Sequence, residues 1–293
     1  MDAFGLIVVD KPVGPTSHKV VNIVRLGTGV RKVGHAGTLD PRASGVLVLC
    51  LGPATRLSEF LSTASKRYEA QVHFGFATRT YDAEGEMLRH TGDAPTLEGI
   101  EQALPAFRGE IQQVPPPYSA VKLEGRKAYE LAREGQELDL EPRSVTIHEI
   151  AIERYEPPDL WLTVECSAGT YIRSLAHDLG EALFTGAHLA ALRRVKSGPF
   201  TIQQAVPLID LEHTFVVGGW ERFLIPAAGA LPELQAVQLT AEQLEEIRNG
   251  RSIESAGQLS GLVKALSPEG ELAAILEPVD GGQLWHPRKV FLG

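Results

Sequence analysis

GHAGTLDPRASGVLVLCLG, residues 34–52, joins a loop of glycine and small residues to an unbroken apolar run. From Val46 the run is aliphatic and rich in β-branched side chains, and it ends at Gly52, so it reads as a buried strand. The loop that feeds it holds one carboxylate, Asp40. Aspartate followed by proline makes a good N-cap and first-turn pair, with PRAS as one helical turn. It equally suits a carboxylate at the centre of a reaction. The stretch alone leaves both readings open.

Outward from the loop, LIVVDKP (6–12) reads as a strand ending at Pro12, and Thr16 or Ser17 as the N-cap of a helix over about 18–26. Alternation in KRYEAQVHFGFAT (66–78) suggests a strand with one wet face. TLEGIEQALPAF (96–107) is a short amphipathic helix with a capping threonine. In PPPYSAVKLEGRKAYELAREG (115–135) three prolines forbid a central strand, and a polar, basic stretch follows that ends in a helix closed by Gly135. LWLTVECSAGTYIRSLAHDLGEAL (160–183) reads as strand, glycine turn and helix. Strands and helices mix without regular βα alternation, so the expected class is α+β. PAAGALPELQ (226–235), rich in Ala, Pro and Gly, is expected to be a linker. Beyond it, LTAEQLEEIRNGRSI gives a helix stopped by Gly250, then short β pieces that suggest a small barrel-like appendage.

A chain of 293 residues, 43% hydrophobic and 22% charged, is an ordinary globular composition with room for one sizeable core and a small second domain. No apolar run approaches the ~20 residues that span a bilayer, and MDAFGLIVVD lacks the basic start of a signal peptide. Cys50 and Cys166 have no metal-ligand spacing and make no disulfide framework, which points to a reducing, cytoplasmic setting. The net charge of −9 argues against a nucleic-acid partner, but it is unevenly spread. Residues 1–60 hold seven Lys/Arg against four acids, and ALRRVKSG adds Arg193, Arg194 and Lys196. Local fields govern docking on one face, so a polyanion partner is permitted without being demanded.

Several chemistries fit poorly. His18, His35, His73 and His90 are not grouped as zinc ligands. No phosphate-binding GxxxxGK[ST], no GxGxxG after a strand and no GxSxG elbow occurs. A glycosidase needs two cooperating carboxylates, and Asp40 has no obvious second.

GHAGTLDPRASGVLVLCLGPATRL resembles the signature of the TruB family of tRNA pseudouridine synthases. DKPVGPTSH (10–18), KRYEA (66–70), the Thr78, Thr80, Asp82, Gly85 pattern, PPPYSAVKLEGRKAYELAREG and CSAGTYIRSLAHDLG resemble that family in the same order. The C-terminal segment resembles the family's small PUA RNA-binding domain, although its balance is acidic. The resemblance implies a catalytic domain over 1–225 built on a mixed, largely antiparallel sheet, with an RNA-clasping insertion at about 115–143. The 226–235 linker and a PUA-like domain over 236–293 would follow.

The resemblance further implies isomerisation of the T-loop uridine conventionally numbered fifty-five to pseudouridine, with no cofactor and no metal. Asp40 matches the catalytic aspartate, which acts as nucleophile or base. Arg173 matches the arginine that pairs with it and keeps it ionised. Tyr68 matches the tyrosine that packs against the flipped-out base. By the same resemblance Tyr171 contacts the uracil, Leu192 gives an apolar wall and His35 enters the T loop. Arg56 stands where the family commonly has lysine, keeping charge but not geometry. Lys122, with Arg126, Lys127 and Arg133, would meet phosphates of the T arm. Read without the motifs, Tyr68 and Leu192 would be core, Arg173 a surface helix charge and the basic stretch a solvated helix. The expected partner is tRNA, through its T arm and, by the C-terminal domain, its acceptor stem. No membrane is involved, and a monomer is expected. Two other roles fit the same residues: an RNA chaperone that refolds tRNA, or the catalytic subunit of a guide-RNA particle.

Overall fold

A computed structural model describes residues 3–90, 92–119, 121–123, 125–136, 139–255 and 261–292. The chain is mixed α+β and divides into two compact units, one of residues 1–40, 46–62 and 199–293, the other of residues 41–45 and 63–198.

In the first unit the strand Gly5–Lys11 is buried almost throughout. It pairs parallel with Val206–Pro207 and antiparallel with Ile225–Pro226. The helix Ser17–Thr28 begins as its sequence asks: the Thr16 hydroxyl accepts from the Lys19 amide at 3.0 Å, and Gly29 closes it at φ 71°. Val20, Val21 and Val24 form its buried stripe. The apolar run is the strand Ala43–Leu51, and within this unit its end pairs with Val33–His35.

The stretch 226–235 is not a free linker. Pro226 pairs with Gly5, and Ala227, Ala230 and Leu231 are buried in one core with Leu6, Val8, Val46, Val48 and Cys50. The Ala- and Gly-rich composition that suggested a linker here allows close packing. Leu272, Ile275 and Phe291 of the C-terminal segment enter the same core. That segment forms a five-stranded sheet, in the order Ala236–Gln238, Val263–Leu266, Leu272–Val279, Leu284–Val290, Ile253–Glu254. A second core around Trp285 and Ile247 lies beneath the helix Ala241–Arg248, which opens with a Thr240–Gln243 capping box.

In the second unit Lys66–Phe74 runs between Asp159–Cys166 and Ala187–Ser197, antiparallel to both. Arg143–Glu156 and Gly109–Gln113 extend the sheet. The expected 66–78 strand is broken at Gly75, φ 101°, and resumes as the short strand Phe76–Thr78. On the other side Ala43–Gly45 lies parallel to Leu192–Arg194. Gly45 has φ 101°, and a Cβ there would stand 2.1 Å from the Arg194 carbonyl oxygen. The protein's own neighbouring strand therefore requires glycine at this point. The helix Ile172–Ala182 follows a glycine turn, as read from the sequence.

Candidate active site

Asp40 is the half-buried last residue of its stretch of the first unit. The helical-turn reading of PRAS fails, because Pro41 and Arg42 make a turn and Ala43 already begins a strand. What fixes the loop is Ser17. Its buried hydroxyl accepts from the Leu39 amide at 2.8 Å and donates to the Leu39 carbonyl at 2.9 Å. Both backbone groups of the residue before Asp40 are thus held by one side chain. Lys11, fully buried, donates to the carbonyls of Pro12 and Pro15 at 2.9 Å each, which shapes the PVGP turn ahead of Ser17. His35 lies in the strand Val33–His35, opposite Leu49.

Arg56 is exposed in the first unit, and its guanidinium donates to the Val290 carbonyl at 2.6 Å. Its charge-assisted bond ties the C-terminal sheet to residues 52–62, as does the Lys289–Glu59 pair at 3.0 Å.

The other candidates stand in the second unit. Tyr68, 9% exposed, faces Arg194 and Val164 across the central strand. Leu192 lies opposite Ala70 on one side and Ala43 on the other. Strand alternation puts Tyr68, Ala70, Leu192 and Ala43 on one sheet face. Asp40 is joined to Ala43 through Pro41 and Arg42.

Tyr171 and Arg173 do not share an extended segment. Tyr171 is the extended N-cap residue and Arg173 is already in the first turn of the helix. Gln113, buried, locks Tyr171 reciprocally: its side-chain oxygen accepts from the Tyr171 amide at 2.8 Å, and its amide nitrogen donates to the Tyr171 carbonyl at 3.0 Å. Tyr171 also packs on a small cluster of Val121, Ala128 and Leu140, so it supports the insertion that follows PPPY. Arg173 is 7% exposed. It donates to the carbonyls of Tyr118 and Thr80 at 3.0 and 3.1 Å and meets the Asp82 carboxylate at 3.5 Å. A surface helix charge it is not.

The Thr78, Thr80, Asp82, Gly85 pattern is thereby explained as a loop folded upon Asp82. Thr78 donates to the Asp82 carbonyl at 2.7 Å, and Thr80 donates to the Asp82 carboxylate. A Cβ at Gly85 would stand 2.4 Å from the Thr80 hydroxyl. Glu84 of the same loop pairs with Arg42 at 3.1 Å. Tyr81 lies face to face with His177 of the helix. Burial and the carboxylates of Asp178 and Glu181 push its phenol up, while burial pushes His177 down, so both rings are neutral at pH 7. Burial, reinforced by Glu181, lifts Asp178 to about 6.

Lys122 lies in the short strand Lys122–Leu123, paired with Arg126–Lys127, and its side chain is outside the described residues. Arg126 is exposed and pairs with Glu134. The residues that sequence reading missed are Ser17, Gln113, Asp82 as a partner of Arg173, and Tyr81. Each sat in or beside a motif already quoted, which was the available signal.

The model for the TruB family pseudouridylate synthase N-terminal domain matches residues 25–172, and that for the tRNA pseudouridylate synthase B C-terminal domain matches 173–224. The chain is 41% identical over 290 residues to tRNA pseudouridine synthase B of Pseudomonas paraeruginosa, covering 98% of this chain and 95% of that protein. It is 43% identical over 301 residues to the protein of that name from Thermobifida fusca, covering 99% of each. Among solved structures, one titled a Cbf5-Nop10-Gar1 complex aligns at TM-score 0.76 with 30% identity, covering 99% of this chain and 85% of that one. Another, titled an H/ACA RNP bound to a substrate RNA containing 2'-deoxyuridine, aligns at TM-score 0.75 with 28% identity, covering 99% and 86%.

Proposed function

The chain belongs to the TruB family of pseudouridylate synthases, and from that premise we propose that it converts the T-loop uridine fifty-five of tRNA to pseudouridine with Asp40 as the catalytic residue. The observation that carries this reading is the fixing of the Asp40 segment on both sides. Ser17 holds both backbone groups of Leu39 before it, and Ala43 after it is paired to Leu192. A carboxylate asked to meet one atom of a sugar–base junction needs such preorganisation, because misplacement by about 1 Å costs on the order of a hundredfold in rate.

Each remaining residue has a role in this reading. Arg173 pairs with the Asp40 carboxylate, keeping it charged and oriented. Tyr68 offers a flat face to the flipped uracil, replacing part of the stacking it loses, about 1–3 kcal/mol per base. Leu192 and Tyr171 bound the base, and His35 fills the gap in the T loop. The N1–C1′ bond breaks, the base turns and the C5–C1′ bond forms; the C5 hydrogen departs as a proton and N1 takes one up, so the product is an isomer. The basic insertion and the C-terminal sheet contact tRNA phosphates of the T arm and acceptor stem. A stand-alone enzyme is favoured over a guided subunit, since the tRNA pseudouridine synthase B relatives are more similar to this chain than the Cbf5 structures are.

The test is release of tritium from C5-labelled uridine in an unmodified tRNA transcript. Wild type should release stoichiometric label without added proteins, and Asp40→Asn none, while its tRNA affinity stays near wild type. Turnover by Asp40→Asn within a few fold of wild type would sink the assignment.

A further inference from the structure

Within the loop folded upon Asp82, Tyr81 has no part in the Thr, Asp and Gly pattern. Its φ is 63°, in the left-handed region that non-glycine side chains rarely adopt. Such a conformation persists where surrounding contacts over-determine it. Here the contacts are visible. The Tyr81 amide donates to the Thr78 carbonyl at 3.2 Å, and its carbonyl accepts from the Leu189 amide at 3.0 Å. Its ring stacks on His177 with centroids 3.8 Å apart and planes within 6°.

The position of His177 gives the stack its meaning. It lies four residues beyond Arg173 on the helix Ile172–Ala182, hence one turn along the same face. Both residues flanking Tyr81 hold Arg173, Thr80 by its carbonyl and Asp82 by its carboxylate, beside the Tyr118 carbonyl. The loop is therefore docked on the helix at two points a turn apart, one polar and one aromatic. The Leu189 bond to the Tyr81 carbonyl holds the loop's main chain, and the stack adds a side-chain anchor one helix turn from Arg173.

We propose that Tyr81 is a positioning residue, whose stack on His177 holds the Thr80–Asp82 segment at the height that orients the Arg173 guanidinium. This rests on the reading of Arg173 as the partner of the catalytic carboxylate. A ring is what the position requires, and the phenol hydroxyl is dispensable.

Steady-state kinetics on a tRNA transcript, with tritium release as readout, tests it. Tyr81→Ala and His177→Ala should each lower kcat about tenfold, with KM within about twofold of wild type. The double variant should be no slower than either single one, because both remove the same contact. Tyr81→Phe should restore wild-type kcat. Alanine variants at the wild-type rate, losses that multiply in the double variant, or a loss that Tyr81→Phe shares would each overturn the proposal. If the alanine variants fail to fold, Tyr81→Leu, which keeps bulk without the flat face, decides by the same criteria. Asp40→Asn run alongside separates the two claims. Turnover there overturns the reading of the site, whereas a silent Asp40→Asn beside a fully active Tyr81→Ala overturns the positioning role alone.

Discussion

Ser17 shows how a single side chain fixes the backbone ahead of Asp40. It satisfies a buried donor and a buried acceptor of Leu39, and either left unpaired costs about 1–3 kcal/mol. Ser17→Ala should accordingly lower stability by about that amount and slow turnover about tenfold or more, with tRNA affinity little changed. Denaturant melts and single-turnover rates check both. The bond spans 22 positions of the chain, and such tertiary bonds leave no periodicity in a sequence. That is why Ser17 was legible only as a cap, and why Asp40 was legible only through its motif. The bond from Arg56 to the Val290 carbonyl spans still more of the chain and was equally invisible in the sequence. Asp178 supports a pH prediction at the same scale. Its carboxyl is lifted to about 6 in the folded chain against an ordinary value of about 3.9. Below pH 4 both states hold the proton and nothing is lost. Between about 4 and 6 the unfolded chain ionises first, so stability falls as pH rises, and above 6 the full penalty applies. Asp178→Asn should raise stability at pH 8, by on the order of 1 kcal/mol for this partly exposed group, and leave it unchanged at pH 4. A gain at pH 4 equal to that at pH 8 contradicts the cause given.

Among the elements, helices with a capping residue and an apolar stripe were readable from the chain: Ser17–Thr28 and Ala241–Arg248 start and stop within a residue or two of where their caps put them. The central strand Lys66–Phe74 was readable from alternation, and its break at Gly75 was not, because one glycine in an alternating run does not announce a positive φ. The strand Ala187–Ser197 went unread, since its AHLAALRRVKS mixes small, apolar and basic residues without strict alternation. Two glycines make the element-scale account testable. Gly45→Ala drives a Cβ against the Arg194 carbonyl at a positive φ, and Gly85→Ala drives one against Thr80. Both should destabilise the fold, Gly45→Ala the more, by about 3 kcal/mol or above, because its clash is closer, wholly with backbone, and at a positive φ that alanine rarely adopts. Gly85→Ala should lower kcat beyond its effect on stability, since Thr80 and Asp82 hold Arg173. Chemical denaturation and turnover, measured on the same preparations, separate the two effects.

For the molecule as a whole, the C-terminal sheet is part of the first unit's core and is not hung from a tether. Leu272, Ile275 and Phe291 pack with Leu6, Val8 and Val46, and Phe291 stacks on Phe4 at 5.7 Å. Three large side chains at about 1.5–3 kcal/mol each are a substantial part of a typical domain's stability. Removing residues 236–293 should thus lower Tm by about 10 °C or more, or leave the remainder insoluble. A truncated chain that melts where the full chain does would restore the linker reading. The acidic total charge obscured a polyanion partner that the local basic clusters allowed, and the salt response reports which prevails. Affinity for tRNA should fall as salt rises, through release of counterions from the contacted phosphates. The most direct measurement remains tritium release from C5-labelled tRNA under single turnover, wild type against Asp40→Asn. The account predicts stoichiometric release from the first and none from the second at equal tRNA binding; release by both at similar rates would contradict it.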